Sequence, residues 1–131
     1  MPETLIAGKE DFYILKKLTA MGIGKGGFSK ETLAEYARVC TPENIHAVCE
    51  DYRATVSIDL EHDAADLDHR IRCPVNVLWA ADGAMDRLYD VLAIWRERAR
   101  NVTGKGMPGG HNMQEGAPDE VLAELRAFLR A

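Results

Sequence analysis

VNVLWAADG, residues 75–83, is the segment that best indicates the class of fold. Its first seven residues form a compact, largely apolar run rich in β-branched and aromatic side chains, which is typical of a strand buried on both faces. Asp82-Gly83 is a turn signal and ends the run. We therefore predict a buried strand over residues 75–81.

Downstream of this strand, helix and strand signals alternate. The next predicted helix has an inward face of Leu88, Val91, Leu92, Ile94 and Trp95. A second short strand is predicted near residues 100–104, and it runs into a glycine loop, PGGH. The last helix is predicted from Pro118, with an inward face of Val121, Leu122, Leu125, Phe128 and Leu129. This β-α-β-α order implies that the two strands are parallel.

Upstream of the strand, the sequence predicts helices only. One helix is predicted over residues 3–20, and residues 22–28, GIGKGGF, are interpreted as a flexible loop because they lack the spacing of a phosphate-binding loop. Ser29 and Thr41 are candidate N-caps of two further helices. The second of these helices is predicted to bury one apolar face, made of Ile45, Val48, Cys49, Tyr52 and Val56. Residues 59–70 are polar and rich in acids.

Composition and charge exclude several classes of function. The 131 residues carry a net charge of −5, which argues against nucleic acid or an anionic membrane as a partner. The apolar runs are far shorter than the roughly 20 residues of a membrane span. Cys40, Cys49 and Cys73 are an odd number without CxxC spacing, so we predict reduced, packed thiols in a cytoplasmic protein.

No metal or cofactor site is predicted from the spacing of ligand-type residues. The candidates considered are His46, Cys49, His62, Asp63 and His69. None of their spacings matches a known zinc or di-metal signature, so we interpret them as part of a solvated, acid-rich surface.

Two strands are too few for a complete parallel sheet. A parallel pair needs covered faces and further strands at its sides, and this sequence supplies about two helices for that purpose. Its strand edges would remain unpaired. The sequence therefore indicates part of a larger α/β domain.

Three stretches resemble the C-terminal portion of the haloacetate (fluoroacetate) dehalogenases, which have the α/β-hydrolase fold. They are CEDYRATVSIDLEHD (residues 49–63), RCPVNVLWAADGAMDRLYDVLAIWRERARNV (72–102) and MPGGHNMQEGAPDEVLAELRAFL (107–129). The likeness extends from about residue 8 to residue 130. The resemblance implies a helical cap-like segment at residues 1–56, an acidic link at residues 57–70, and the last strands and helices of the core at residues 71–131.

The resemblance also implies roles for individual residues. His111 matches the histidine that activates water, and Tyr52 matches the cap tyrosine that helps to hold the leaving halide. The family's aspartate nucleophile, its oxyanion-hole motif and its carboxylate-binding arginines have no counterpart in this sequence. Related hydrolases place the orienting acid in a pattern like LWGxxD, where this chain has Gly83. Asp82, one residue earlier, is the substitute candidate.

The predicted fold class is therefore α/β, as an incomplete α/β-hydrolase fold: a helical cap remnant followed by β-α-β-α with parallel strands. The implied reaction is hydrolytic cleavage of a carbon–halogen bond in a short 2-haloacid, and the chain alone is expected to be inactive. Three alternatives remain open for its state: an inactive fragment, half of a split enzyme completed by a companion chain, or a non-enzymatic homo-oligomer. The alternative chemistry is epoxide hydrolysis.

Overall fold

The structure is a computed structural model, and it describes residues 2–21 and 27–130. The interpretation of residues 22–28 as a flexible loop falls mostly outside these ranges. The described helices are α1 (Pro2–Ile6), α2 (Glu10–Met21), α3 (Lys30–Val39), α4 (Pro42–Thr55), α5 (Ile58–Ala65), α6 (Ala84–Leu88), α7 (Val91–Arg98), α8 (Met113–Gly116) and α9 (Pro118–Leu129), and the strands are β1 (Val75–Ala80) and β2 (Val102–Met107).

The chain divides into two compact units. The first, which we call the helical unit, comprises Met1–Ala20 and Ser29–Asp68. The second, the sheet unit, comprises Met21–Phe28 and His69–Ala131. The assignment of residues 1–56 as a cap-like segment and of residues 57–70 as a link stays a prediction.

Helix caps in the helical unit follow the sequence signals closely. The Ser29 hydroxyl accepts a hydrogen bond from the Thr32 amide, and the Thr41 hydroxyl accepts one from the Asn44 amide. These contacts satisfy amides that the first helical turn leaves unpaired, which confirms both N-caps. The single helix predicted over residues 3–20 is wrong, because the chain breaks at Gly8, whose φ is +73°.

The two strands of the sheet unit pair in parallel, as predicted. Their register runs from Val75 opposite Val102 to Ala80 opposite Met107. The second strand was predicted near residues 100–104, whereas β2 spans Val102–Met107. The prediction ended the strand too early because Gly104 and Gly106, which suggest a loop, lie inside it. A Cβ atom at Gly104 would lie 2.0 Å from the Val77 carbonyl oxygen, so only glycine fits at that position. The predicted helix after Gly83 is two helices, α6 and α7.

Several residues predicted to face inward are exposed. Leu125 on α9 is 41% exposed and Leu129 is 78% exposed, and the other large apolar side chains with substantial exposure on the predicted inward faces are Tyr52, Val56, Leu88, Ile94, Trp95 and Leu122. The buried core of the sheet unit is small and centres on Val77, Ala99, Met107 and Ala117. For the residues on α6, α7 and α9, the physical reason is that a two-stranded sheet offers too little surface to cover these helices.

The described helices include none that is both long and apolar enough to cross a membrane.

Candidate functional site

The carboxyl ends of the two strands define one edge of the sheet. Ala80 and Met107 are paired residues at the ends of β1 and β2. The turn at residues 81–83 and the loop at residues 108–112 therefore leave the sheet at the same edge. In α/β proteins, ligands bind outside the carboxyl ends of parallel strands. Asp82 and His111, both predicted as site residues, lie in these two connections.

Two glycines shape the loop that carries His111. Gly109 and Gly110 have φ values of +95° and +73°, in the left-handed region that favours glycine. A Cβ atom at Gly109 would also lie 3.0 Å from the amide nitrogen of Ala117, at the junction of α8 and α9. The loop thus turns tightly against α9 and returns to the core at Asn112, which is buried.

The loop presents the His111 side chain to solvent. Among residues 2–21 and 27–130, no carboxylate or other group forms a hydrogen bond or ion pair with its imidazole. Histidine is the side chain that most often acts as a general base in enzymes. The described residues therefore supply a candidate base without the orienting acid that a catalytic triad requires.

Asp82 lies at the end of β1 in an unusual backbone conformation. Its φ is +65°, and no other non-glycine residue in the described ranges has a positive φ. The Asp82 carbonyl oxygen accepts a hydrogen bond from Arg87 Nη1 at 2.6 Å, whereas the structure records no hydrogen bond between the Asp82 carboxylate and His111. The role of Asp82 as the acid stays a prediction.

Asp86, which the sequence analysis missed, holds the turn after β1 in place. Its Oδ1 accepts a hydrogen bond from Trp79 Nε1 at 2.6 Å, and its Oδ2 accepts one from the Asp82 amide at 3.3 Å. Asp86 thus links the strand, the turn and helix α6. Its position in the first turn of a helix that follows a glycine was the available signal, because acids are favoured there.

Tyr52 lies on α4 in the helical unit, where 62% of the residue is exposed. The prediction that Tyr52 lies on the buried face of this helix is therefore wrong. The ammonium of Lys17 lies 5.5 Å from the centroid of its ring, within the range of a cation–π contact. Its assignment as a halide-binding residue stays a prediction.

A second cluster of polar side chains, Glu3, His46, Glu50 and Arg53, joins α1 to α4. The Oε1 atoms of Glu3 and Glu50 lie 3.7 and 4.0 Å from His46 Nδ1, and these ligand-type atoms of the three residues are mutually within 4.8 Å. Both carboxylates already bind the Arg53 guanidinium, at 2.7 and 2.5 Å. A backbone hydrogen bond and the Arg53 contact lower the pKa of Glu3 to about 2. We interpret the cluster as a structural ion-pair network, because Arg53 already provides the cation.

The three cysteines are free, but only part of the prediction about them is confirmed. Cys40 is buried, and burial is the main cause that raises the pKa of its thiol. Cys73 is exposed, so the prediction that all three are packed is wrong. Cys73 directly precedes Pro74, outside β1, which explains why it lies beyond the small core.

Comparisons with known proteins identify the class of fold to which the chain belongs. No protein-family model matches the chain. Similar solved structures include a provisionally assigned α/β-hydrolase from Nostoc sp PCC 7120, with 48% identity, and a provisionally assigned acyltransferase from Salmonella enterica, with 44% identity; both have a TM-score of 0.92. The chain covers 45% and 43% of their lengths, and 98% of this chain is aligned in each case. The fold is therefore part of an α/β-hydrolase fold.

More specific relatives agree with the family resemblance. A fluoroacetate dehalogenase from Burkholderia sp is 35% identical over 130 residues, which are 98% of this chain and 43% of that protein. A provisionally assigned epoxide hydrolase from Pseudomonas aeruginosa is 36% identical with a TM-score of 0.87, over 98% of this chain and 44% of that one. The chain is similar to the C-terminal portion of haloacetate dehalogenase-like α/β-hydrolases, and it spans less than half the length of these relatives.

Proposed function

We propose that the chain supplies the histidine half of a hydrolytic site that cleaves the carbon–halogen bond of a short 2-haloacid. His111 is the base that activates water, and Tyr52 donates its hydroxyl to the leaving halide. The observation that carries the proposal is the loop at the carboxyl edge of the sheet, where two glycines with positive φ present an unpartnered imidazole.

The proposed chemistry needs a nucleophile from outside these residues. In the proposed reaction a carboxylate attacks the carbon, expels halide and becomes an ester, and water activated by His111 then hydrolyses that ester. The structure records no carboxylate bonded to the His111 imidazole within its described ranges. The chain on its own is therefore expected to lack this activity, and a longer protein or a companion chain would complete the site.

A first experiment measures halide release by the purified chain. Fluoroacetate and chloroacetate are incubated with wild type and with His111→Ala, and halide is quantified by ion chromatography. We expect no release from wild type above the variant. Release that depends on His111 would contradict the proposal that the nucleophile lies outside these residues.

A second experiment tests His111 in a complete site. The 131 residues replace the matched segment of the Burkholderia fluoroacetate dehalogenase, and the chimera is assayed for fluoride release. We expect release that falls by roughly 10²–10⁴-fold in the His111→Ala chimera, the usual contribution of a general base. A folded chimera whose fluoride release is unaffected by His111→Ala would refute the assigned role.

Epoxide hydrolysis is the second candidate, favoured by the similarity to the provisionally assigned epoxide hydrolase. In that reaction the hydroxyl of Tyr52 would protonate the opening epoxide oxygen. The same chimera incubated with styrene oxide distinguishes the two reactions. Diol formation without halide release would replace the dehalogenase proposal.

A further inference from the structure

Arginine is concentrated in the sheet unit near the amino ends of the two strands. Two short segments meet there, residues 70–72 and residues 96–100, and we call them the arginine patch. These eight residues carry one acid, Glu97, and five arginines: Arg70, Arg72, Arg96, Arg98 and Arg100. In the whole chain, 16 of 131 residues are lysine or arginine, and the net charge is −5. The patch is therefore a local concentration of positive charge in an acidic protein.

Backbone hydrogen bonds hold the two segments of the patch side by side. Ile71 and Ala99 form a parallel bridge. In this bridge the Ile71 amide donates to the Arg98 carbonyl oxygen at 2.9 Å, and the Arg100 amide donates to the Ile71 carbonyl oxygen at 3.1 Å. Ala99 is buried, whereas Arg72 and Arg100, which follow the two bridged residues, are exposed. Paired segments lie about 5 Å apart, so a single anion is within reach of both guanidiniums.

The guanidinium of Arg70 is used within the fold. Its Nε donates to the Glu97 carbonyl oxygen at 3.0 Å, and its Nη2 donates to the Arg96 carbonyl oxygen at 2.5 Å. These carbonyls belong to the last turn of α7, which a helix leaves unpaired. Arg70 thus fixes the end of α7 against the first segment of the patch.

Three other arginines of the patch have no partner in the part of the chain that the structure describes. The guanidiniums of Arg72, Arg96 and Arg100 form no hydrogen bond or ion pair with residues 2–21 or 27–130. Glu97 is adjacent to Arg96 in the sequence, but its carboxylate neutralises none of the three. Like charges held close together repel each other, and an anion bound between them relieves that repulsion.

We propose that the arginine patch binds a phosphate-bearing anion through the guanidiniums of Arg72 and Arg100. The planar guanidinium fork matches two oxygens of a phosphate group. A phosphate group carries up to about two negative charges and three acceptor oxygens, so that one group accepts hydrogen bonds from both arginines. A carboxylate has one charge and two oxygens, which a single guanidinium already satisfies. Two exposed and unpaired guanidiniums on bridged segments therefore fit phosphate better than carboxylate.

The patch lies far from the loop that carries His111. Each strand has six residues, so the amino and carboxyl ends of the strands are separated by roughly 20 Å at ~3.3 Å per residue. Binding at the patch therefore does not depend on His111 or on completion of the proposed hydrolytic site. The proposal and the function proposed above are tested by separate measurements.

Isothermal titration calorimetry of the purified chain with inorganic tripolyphosphate tests the proposal. We expect saturable binding to wild type, with a Kd below about 100 µM. Arg72→Gln with Arg100→Gln should bind roughly tenfold more weakly or worse, because it removes both charge-assisted contacts. Raising the salt from about 0.05 M to about 0.5 M should weaken binding to wild type, since salt screens exposed charges. His111→Ala is expected to bind like wild type.

Arg126→Gln with Arg130→Gln is the matched control. It removes the same charge from another surface of the sheet unit, because both residues are exposed at the end of α9. We expect this variant to bind tripolyphosphate like wild type. Circular dichroism verifies that each variant is folded.

Two further probes identify the source of the phosphate and the class of partner. Cosedimentation with phosphatidylcholine vesicles that contain phosphatidic acid tests a lipid headgroup, and calorimetry with hexaglutamate tests an acidic polypeptide. Vesicle binding that the Arg72 and Arg100 variant loses would assign the phosphate to a lipid. Binding of tripolyphosphate without vesicle binding would assign it to a soluble compound.

Four results would overturn the proposal. They are a wild type that binds neither tripolyphosphate nor the vesicles, an Arg72 and Arg100 variant that binds as tightly as wild type, an equal loss of binding in the Arg126 and Arg130 control, and tighter binding of hexaglutamate than of tripolyphosphate. The last result would assign the patch to an acidic protein partner.

Discussion

Replacing Gly104 by alanine tests whether β2 pairs with β1 as closely as the structure indicates. The φ of Gly104 is +153°, and the new Cβ would lie 2.0 Å from the Val77 carbonyl oxygen. Ordinary contact begins near 3.4 Å, so the strands must separate by more than an ångström. Separation breaks the ladder beside Val77, one of the few buried residues of the sheet unit.

The expected loss of stability has two parts. Holding an L-residue in a glycine conformation costs about 1–3 kcal/mol. Overpacking of the strand pair costs about 1–3 kcal/mol more. The sum is a large fraction of the 5–15 kcal/mol that stabilises an ordinary domain. We therefore expect Gly104→Ala to leave the sheet unit largely unfolded at moderate urea concentrations at which wild type is folded.

Gly106→Ala is the matched control, because it makes the same chemical change two residues further along the strand. Its Cβ would lie 3.1 Å from the Ala81 Cβ and 3.4 Å from Trp79 Nε1, so a shift of a few tenths of an ångström relieves it. We expect a loss below about 1.5 kcal/mol. Urea denaturation followed by tryptophan fluorescence compares the two variants, since Trp79 lies on β1. A Gly104→Ala variant at least as stable as Gly106→Ala would refute the strand pairing.

Three further changes test other parts of the structure. Asp86→Ala removes the acceptor for Trp79 Nε1 and should cost about 1–2 kcal/mol in urea denaturation; an unchanged midpoint would mean that Asp86 does not hold the turn. Glu3→Gln should lower the stability of the fold at pH 7 but not below pH 2. The ionised Glu3 carboxylate stabilises the fold above its unfolded pKa, and this contribution is lost as the pH falls through the folded pKa of about 2. A difference between wild type and variant that does not change with pH in thermal melts would contradict this. Leu125→Ala should cost only about 1 kcal/mol, less than the 2–5 kcal/mol of a buried leucine, because Leu125 is 41% exposed; a loss above about 2 kcal/mol would show that α9 is covered in solution.

Features set by neighbouring residues were predictable from the sequence. The caps at Ser29 and Thr41 depend on amides three residues away, and strand β1 depends on a short run of apolar residues that ends at a turn signal. The loop at His111 was likewise indicated by its glycines, and Gly109 and Gly110 have positive φ values in the structure. In each of these cases the signal and the structure lie within a few residues of each other.

Features that depend on distant residues were missed or misplaced. The network around Arg53 joins Glu3 to Glu50 and His46, and no local pattern pairs the first turn of α1 with the middle of α4. The extent of β2 was misjudged for the same reason. Gly104 suggests a loop in isolation, and only the proximity of the Val77 carbonyl explains why a glycine lies within a strand.

The apolar patterns on α7 and α9 show which feature of a helix the sequence predicts and which it does not. The spacing of Leu122, Leu125 and Leu129 predicts a shared helix face, but it contains no information about what covers that face. On β1, both polar atoms of the Asn76 side-chain amide are buried and have no hydrogen-bond partner among the described residues. A buried amide without a partner costs about 1–3 kcal/mol, so its presence in the strand is unfavourable for this chain by itself. The exposed leucines, by contrast, lie at the surface and support the inference that the sheet unit has faces suited to contact with additional polypeptide, as the proposed completion of the site requires.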